Sequence, residues 1–135
     1  MFLLDTVALS ELNKVRPNGG FATWFDTTDT EDLFVSVVTL GEIERGIERQ
    51  RRLVPGFVRR LENWRDRAIL AYGDRVLAVT IEIAQTWGRL GERKGHMNTD
   101  LLIAATALVH DLAVVTRNVR RFDGTGAKIL NPFEG

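Results

Sequence analysis

The chain opens on Met1-Phe2-Leu3-Leu4-Asp5-Thr6, an apolar run that stops at an acid. Phe2, Leu3 and Leu4 are apolar without alternation, which is the pattern of a strand covered on both faces. Strands of that kind belong to α/β folds, with helices packed above and below the sheet. Asp5 stands where the strand leaves the sheet, and open α/β sheets bind ligands at that edge. An acid in this place is either a helix N-cap or a site carboxylate.

The rest of the chain repeats the theme. Thr6 to Lys14 reads as a helix with Val7, Leu9 and Leu12 apolar, stopped by Arg16-Pro17-Asn18-Gly19-Gly20. Phe21, Trp24 and Phe25 form a short apolar stripe, read as core. Leu33 to Val38 is a second strand rich in β-branched residues. Thr39 and Glu42 match the Ser/Thr-x-x-Glu capping box and predict a helix start at Thr39. Pro55 marks a further helix start, with Phe57, Val58, Leu61, Trp64 and Ala68 at helical spacing up to Tyr72. Val76 to Val79 is a third strand; Thr80 caps a helix that Gly95 ends. Asn98-Thr99-Asp100 starts a helix apolar nearly all round, which predicts burial. Ala113 to Thr116 is a fourth strand, Arg117 to Phe122 a basic turn, and Lys128 to Leu130 a last short strand. Strands alternating with helices predict a mostly parallel central sheet in a three-layer α/β/α sandwich, one domain over residues 1–135.

Composition narrows the chemistry. There is no cysteine, so thiolate metal sites, disulfides and thiol catalysis are excluded, and an intracellular setting is the simplest expectation. No apolar run reaches the length of a membrane helix, and the start lacks the basic-then-apolar pattern of a signal peptide. Neither a Gly-x-Gly-x-x-Gly nor a Walker loop is present, and neither His96 nor His110 has a nucleophile motif near it. Formal net charge is zero but uneven. Residues 1–44 hold eight acids against Lys14 and Arg16, whereas residues 45–67 hold eight arginines against Glu48, Glu62 and Asp66. The basic block is either a solvated helical face or a surface facing phosphate or a partner.

Three acids share one topological position. Asp5 follows the first strand, Glu42 the second, and Asp100 opens the helix leading to the fourth. If strands one, two and four are neighbours, the three carboxylates gather at one sheet edge, where like charges stay ionised only with a cation among them. Oxygen-only ligands favour a hard cation such as Mg²⁺ or Mn²⁺. Each acid also has a structural alternative: Asp5 as a cap, Glu42 in a capping box, Asp100 beside a helix dipole.

At this point the motifs resemble a family from end to end. Leu3-Leu4-Asp5-Thr6 with Leu9-Ser10-Glu11, Ser36 to Ile43 followed by Gly46, Asp100 to Ala107, and Thr116-Arg117-Asn118 with Phe122 and Asn131-Pro132-Phe133 look like the four blocks of PIN-domain ribonucleases, of the VapC and FitB toxin type. The resemblance implies metal-binding acids at Asp5, Glu42 and Asp100, and a fourth catalytic position at Asn118, which binds water or substrate because it carries no charge. It implies substrate contacts from Thr6, Thr116 and Arg117, with Arg120 and Arg121 as further candidates to neutralise phosphate. Val7 stands where the family commonly has Asn, a residue that helps order the site.

The function implied is a cytoplasmic, Mg²⁺-dependent endoribonuclease, the toxin of a toxin–antitoxin pair, with Mn²⁺ as the other metal. The resemblance further implies a homodimer and a heterotetramer or larger assembly with the antitoxin, with DNA bound only through the antitoxin. The alternative, motivated by Val7 and Asn118, is a catalytically weak module that binds RNA or a partner. A fold-related nuclease acting on branched DNA is a third reading, for which the chain is small.

Overall fold

The computed structural model describes residues 1–134. Strands β1 (Phe2–Leu4), β2 (Leu33–Ser36), β3 (Val76–Leu77), β4 (Ala113–Val115) and β5 (Lys128–Leu130) form one sheet in the order β3-β2-β1-β4-β5. Every neighbouring pair is parallel. The helices are α1 (Thr6–Glu11), α2 (Gly19–Asp26), α3 (Val37–Leu53), α4 (Val58–Tyr72), α5 (Ile81–Lys94) and α6 (Thr99–His110). They cover both faces of the sheet, giving the expected three-layer α/β/α sandwich.

β1 is the central strand, and its pleat divides the core in two. Leu3 faces the layer of α5 and α6, packing with Ile83, Leu90, Leu101, Ile103, Val114 and Phe122. Leu4 faces the layer of α1 to α4, packing with Leu9, Phe21, Val35, Ile43, Ile47 and Val115. Both leucines are 0 % exposed, and burying a side chain of that size stabilises by about 1.5–3 kcal/mol. Helix α6 is buried from Leu101 to Ala107 because it lies against the sheet and also packs on α5.

Local signals set most helix ends. The Thr80 side chain accepts from the Ile83 N–H and caps α5, and Gly95 closes it with a positive φ of 82°. The Asn98 side chain accepts from the Leu101 N–H and caps α6.

Four boundaries differ from the sequence expectations. β2 ends at Ser36, and α3 begins at Val37 rather than Thr39. The Ser36 hydroxyl accepts from the Val38 N–H at 3.0 Å, so a serine at the strand end caps the helix and the Thr39–Glu42 box does not form. Thr39 is fully buried, and its Oγ1 has no hydrogen-bond partner among the described residues. α1 ends at Glu11, where Glu11 binds Lys14 at 2.8 Å and accepts from the Asn18 N–H at 2.7 Å. β3 is only Val76–Leu77.

The fourth difference concerns Gly19-Gly20, expected to stop a helix. They form the first turn of α2, capped by the Asn18 side chain, which accepts from the Phe21 N–H. The reason is tertiary. Phe21 stacks on Phe133 at 4.9 Å, and this draws the C-terminal segment across the start of α2. A Cβ on Gly20 would stand 2.6 Å from the Pro132 carbonyl oxygen. A Cβ on Gly19 would meet only the mobile end of the Glu134 side chain, at 3.3 Å. Gly20→Ala is therefore expected to destabilise by about 1–3 kcal/mol through overpacking, whereas Gly19→Ala is neutral or slightly stabilising because alanine is the better helix former. Urea denaturation of the two variants checks this; equal stabilities would refute the close approach.

Candidate active site

The in-register pairing of β1 with β2 and β4 sets the site. Leu4 pairs with Val35 on one side and Val115 on the other, so the chain leaves all three strands at the same level. The ladder continues one step, with the Asp5 N–H donating to the Val115 carbonyl and the Thr116 N–H to the Leu130 carbonyl. Asp5 and Thr116 thus lie side by side at the carboxyl edge of the sheet.

Asp5, Glu42 and Asp100 come together there. With Thr6, Val7, Ile103 and Arg121 they line a small, partly open cleft of about 20 Å³, enough for a water or an ion. Asp5 both caps a helix and lines the cleft. Its Oδ1 accepts from the Ala8 N–H at 2.8 Å, capping α1, while the carboxylate lines the cleft. Burial pushes the Asp5 carboxyl above its ordinary value; the Thr116 hydroxyl, the Ala8 N–H and Arg121 oppose that rise, and Asp100 adds to it. Burial also raises Asp100; Arg121 and His96 oppose, and Glu42 adds to it.

Glu42 has lost its structural alternative. With α3 starting at Val37, it lies in the second turn, outside any cap. The Thr6 hydroxyl donates to its Oε1 at 2.6 Å and the Thr99 hydroxyl to its Oε2 at 3.4 Å. Among the described residues no three acidic or histidine side chains close into a ready metal cage. Glu42 is tied to the two threonines and lines the cleft without closing on Asp5 and Asp100. The donor set is nonetheless all oxygen, and two mutually repelling carboxylates, Asp5 buried and Asp100 half-buried, fit a hard cation. Arg121 is the positive charge beside them in its place.

The other expected site residues are spread around the cleft. Thr6 serves Glu42 directly. Thr116 is fully buried, and its hydroxyl accepts from the Asn118 N–H at 2.9 Å. Asn118 stands half-buried at the start of the 3-10 turn Val119–Phe122 and is not among the residues lining the cleft. Arg117 does not line the cleft; its guanidinium lies over the Phe133 ring at 4.5 Å. Arg121, in that 3-10 turn and a further candidate to neutralise phosphate, lines the cleft. Thr99, which reaches Glu42, carried no sequence signal beyond its place in the first turn of α6.

The fold is a parallel α/β/α sandwich with three acids at the carboxyl edge of its sheet, and comparisons with known proteins give its family. The chain belongs to the PIN domain family, whose model matches residues 2–128. It is 32 % identical over 143 residues to "VapC ribonuclease Y4jK" of Sinorhizobium fredii, covering 99 % of each chain. It is 30 % identical to "Toxin FitB" of Neisseria gonorrhoeae, covering 98 % of this chain and 99 % of that one. The crystal structure of FitAcB from Neisseria gonorrhoeae superposes with a TM-score of 0.77 at 25 % identity, covering 98 % of both chains.

The pKa direction at Asp5 has a stability consequence. A carboxyl whose folded value is raised costs nothing at low pH. The penalty for its charge sets in as pH rises through the ordinary Asp value of 3.8 and is complete above the raised folded value. Asp5→Asn keeps the N-cap acceptor and removes the charge. In EDTA the variant is expected to be more stable than the parent protein at neutral pH, with the gap closing on acidification. Urea midpoints across pH test this, and a variant less stable at neutral pH would contradict it.

Proposed function

We propose that this chain is the ribonuclease toxin of a toxin–antitoxin pair, a metal-dependent endonuclease that hydrolyses RNA phosphodiester bonds at the Asp5–Glu42–Asp100 cleft. The observation that carries the reading is the convergence of those three carboxylates with Arg121 on one small cleft at the sheet edge. Family membership and the similarity to a VapC ribonuclease and a FitB toxin support it.

Asp5, Asp100 and Glu42 would hold Mg²⁺ or Mn²⁺, with the Asn118 amide nearby for water or substrate. Bound there, the ion supplies a Lewis acid and lowers the pKa of its water. The chain's own residues do the rest. Thr6 and Thr99 hold the Glu42 carboxylate in position. Thr116 and the Ala8 N–H favour the ionised form of Asp5. Arg121 offers a guanidinium to a phosphate oxygen arriving at the cleft. Val7 and Ile103 give the cleft an apolar wall, which limits water there.

The partner in this reading is a cognate antitoxin, which neutralises the toxin, with any DNA contact made through that protein. A homodimer is part of the same reading; Leu70 and Ile81, 84 % and 80 % exposed, flank edge strand β3 in the sequence and offer apolar surface for a second copy. No helix among the described residues is long and apolar enough to cross a membrane, and the cytoplasm is the proposed location.

The competing reading, a catalytically weak module that binds RNA or a partner, draws on the open arrangement of the three acids and on Val7 in the cleft. Cleavage assays separate the two. Purified protein free of antitoxin is expected to cut RNA in Mg²⁺ or Mn²⁺ and to stop in EDTA. Asp100→Asn should lose at least about 100-fold in rate, since losing even an outer-shell partner of a metal ligand costs up to that much. No cleavage in either metal would decide for the binding module.

A further inference from the structure

Among the eight arginines of residues 45–67, Arg51 and Arg65 have one kind of surroundings and Arg45, Arg49 and Arg52 another. Arg51 is bound to Glu48 and Glu62, each at 3.1 Å, and Arg65 is bound to Glu44 at 2.9 Å and Asp66 at 3.0 Å. The Arg51–Glu62 and Arg65–Glu44 pairs join α3 to α4. Arg45, Arg49 and Arg52 have no carboxylate within ion-pair distance among the described residues, and all three are exposed. They border an open surface hollow of about 610 Å³ on α3.

Their spacing is i, i+4, i+7, so they form one stripe of α3, and Glu42 stands three residues before the first of them on the same stripe. At the helical rise, Arg45, Arg49 and Arg52 lie roughly 4.5, 10 and 15 Å beyond Glu42 along the axis. Like charges at i, i+4 disfavour the helix, and Glu48, the acid that lines the same hollow, is paired with Arg51. The stripe begins at one wall of the acidic cleft and runs away from it, while Arg121 supplies a cation within the cleft. A strand with one phosphate at the carboxylates has its next phosphates passing along the stripe. An acidic protein segment on the same path would end against Glu42, Asp5 and Asp100, three carboxylates beside the single guanidinium of Arg121.

We propose that Arg45, Arg49 and Arg52 form a phosphate rail that binds the backbone of an RNA strand where it leaves the cleft. The proposal rests on the ribonuclease reading above. Guanidinium groups suit such contacts because their planar fork meets two phosphate oxygens at once. The contacts position the strand and carry no sequence information.

The test is binding of a fluorescent single-stranded RNA oligonucleotide to the full chain in EDTA, by anisotropy across a salt series, with cleavage in Mg²⁺ measured in parallel. Arg45→Ala/Arg49→Ala/Arg52→Ala is expected to weaken binding at least tenfold at low salt. The slope of log K against log salt should flatten by about 2, from three phosphate contacts at about 0.7 each. Arg59→Ala/Arg67→Ala removes two exposed arginines of α4 and should leave affinity and slope nearly unchanged; thermal melts confirm that both variants fold. In cleavage the rail variant should raise KM with kcat retained. An unchanged slope in the rail variant overturns the proposal, as do equal losses in the two variants. So does a rail variant that loses antitoxin binding while RNA affinity holds. Wild-type protein that binds RNA through the rail yet cuts none in Mg²⁺ supports the rail and overturns the ribonuclease reading. Wild-type protein that binds no RNA overturns both.

Discussion

The parallel, in-register pairing of β1 between β2 and β4 is the constraint on which the rest depends. Leu4 faces Val35 and Val115 across the two ladders, so the residues that follow each strand emerge together. Asp5, the Ser36 cap of α3 and Thr116 therefore share one edge, and α6, buried against the same sheet, delivers Asp100 to it. The short apolar run before Asp5 is the rigid support for a buried carboxylate. Its two leucines are locked in opposite cores, so the strand cannot shift register without exposing one of them.

Capping a helix and lining the cleft are not alternatives at Asp5. One carboxylate oxygen satisfies the first turn of α1, and the group as a whole remains in the cleft. This double use gives the carboxylate a fixed orientation, since a capped residue has little rotameric freedom. It also keeps the charge where burial disfavours it, because the amide of Ala8 and the hydroxyl of Thr116 offset part of the desolvation. At Glu42 the outcome is the reverse. Ser36 caps the helix, the capping box goes unused, and the carboxylate is released to Thr6 and Thr99.

The arginines show the same separation of structural from available charge. Arg51 and Arg65 are spent on joining α3 to α4, while Arg117 lies on the Phe133 ring and holds the C-terminal segment near α2. Arg121 and the stripe of Arg45, Arg49 and Arg52 have no such structural partners among the described residues. Part of the positive charge available to a ligand thus lies in and beside the acidic cleft.

The sequence by itself determined the α/β class, the five strands, the caps Thr80 and Asn98, the Gly95 helix end, and the three acids at strand-to-helix junctions. Those signals act over three or four residues or come from runs of buried apolar side chains, so they are readable along the chain. Only the tertiary structure decided that α3 starts at Val37, that Gly20 lies against Pro132, that Arg121 rather than Arg117 enters the cleft, and which arginines are paired. Each of those depends on contacts between residues far apart in the chain, such as Phe21 with Phe133 or Arg65 with Glu44. No local pattern encodes such contacts, because the energy that selects them exists only once the layers have packed.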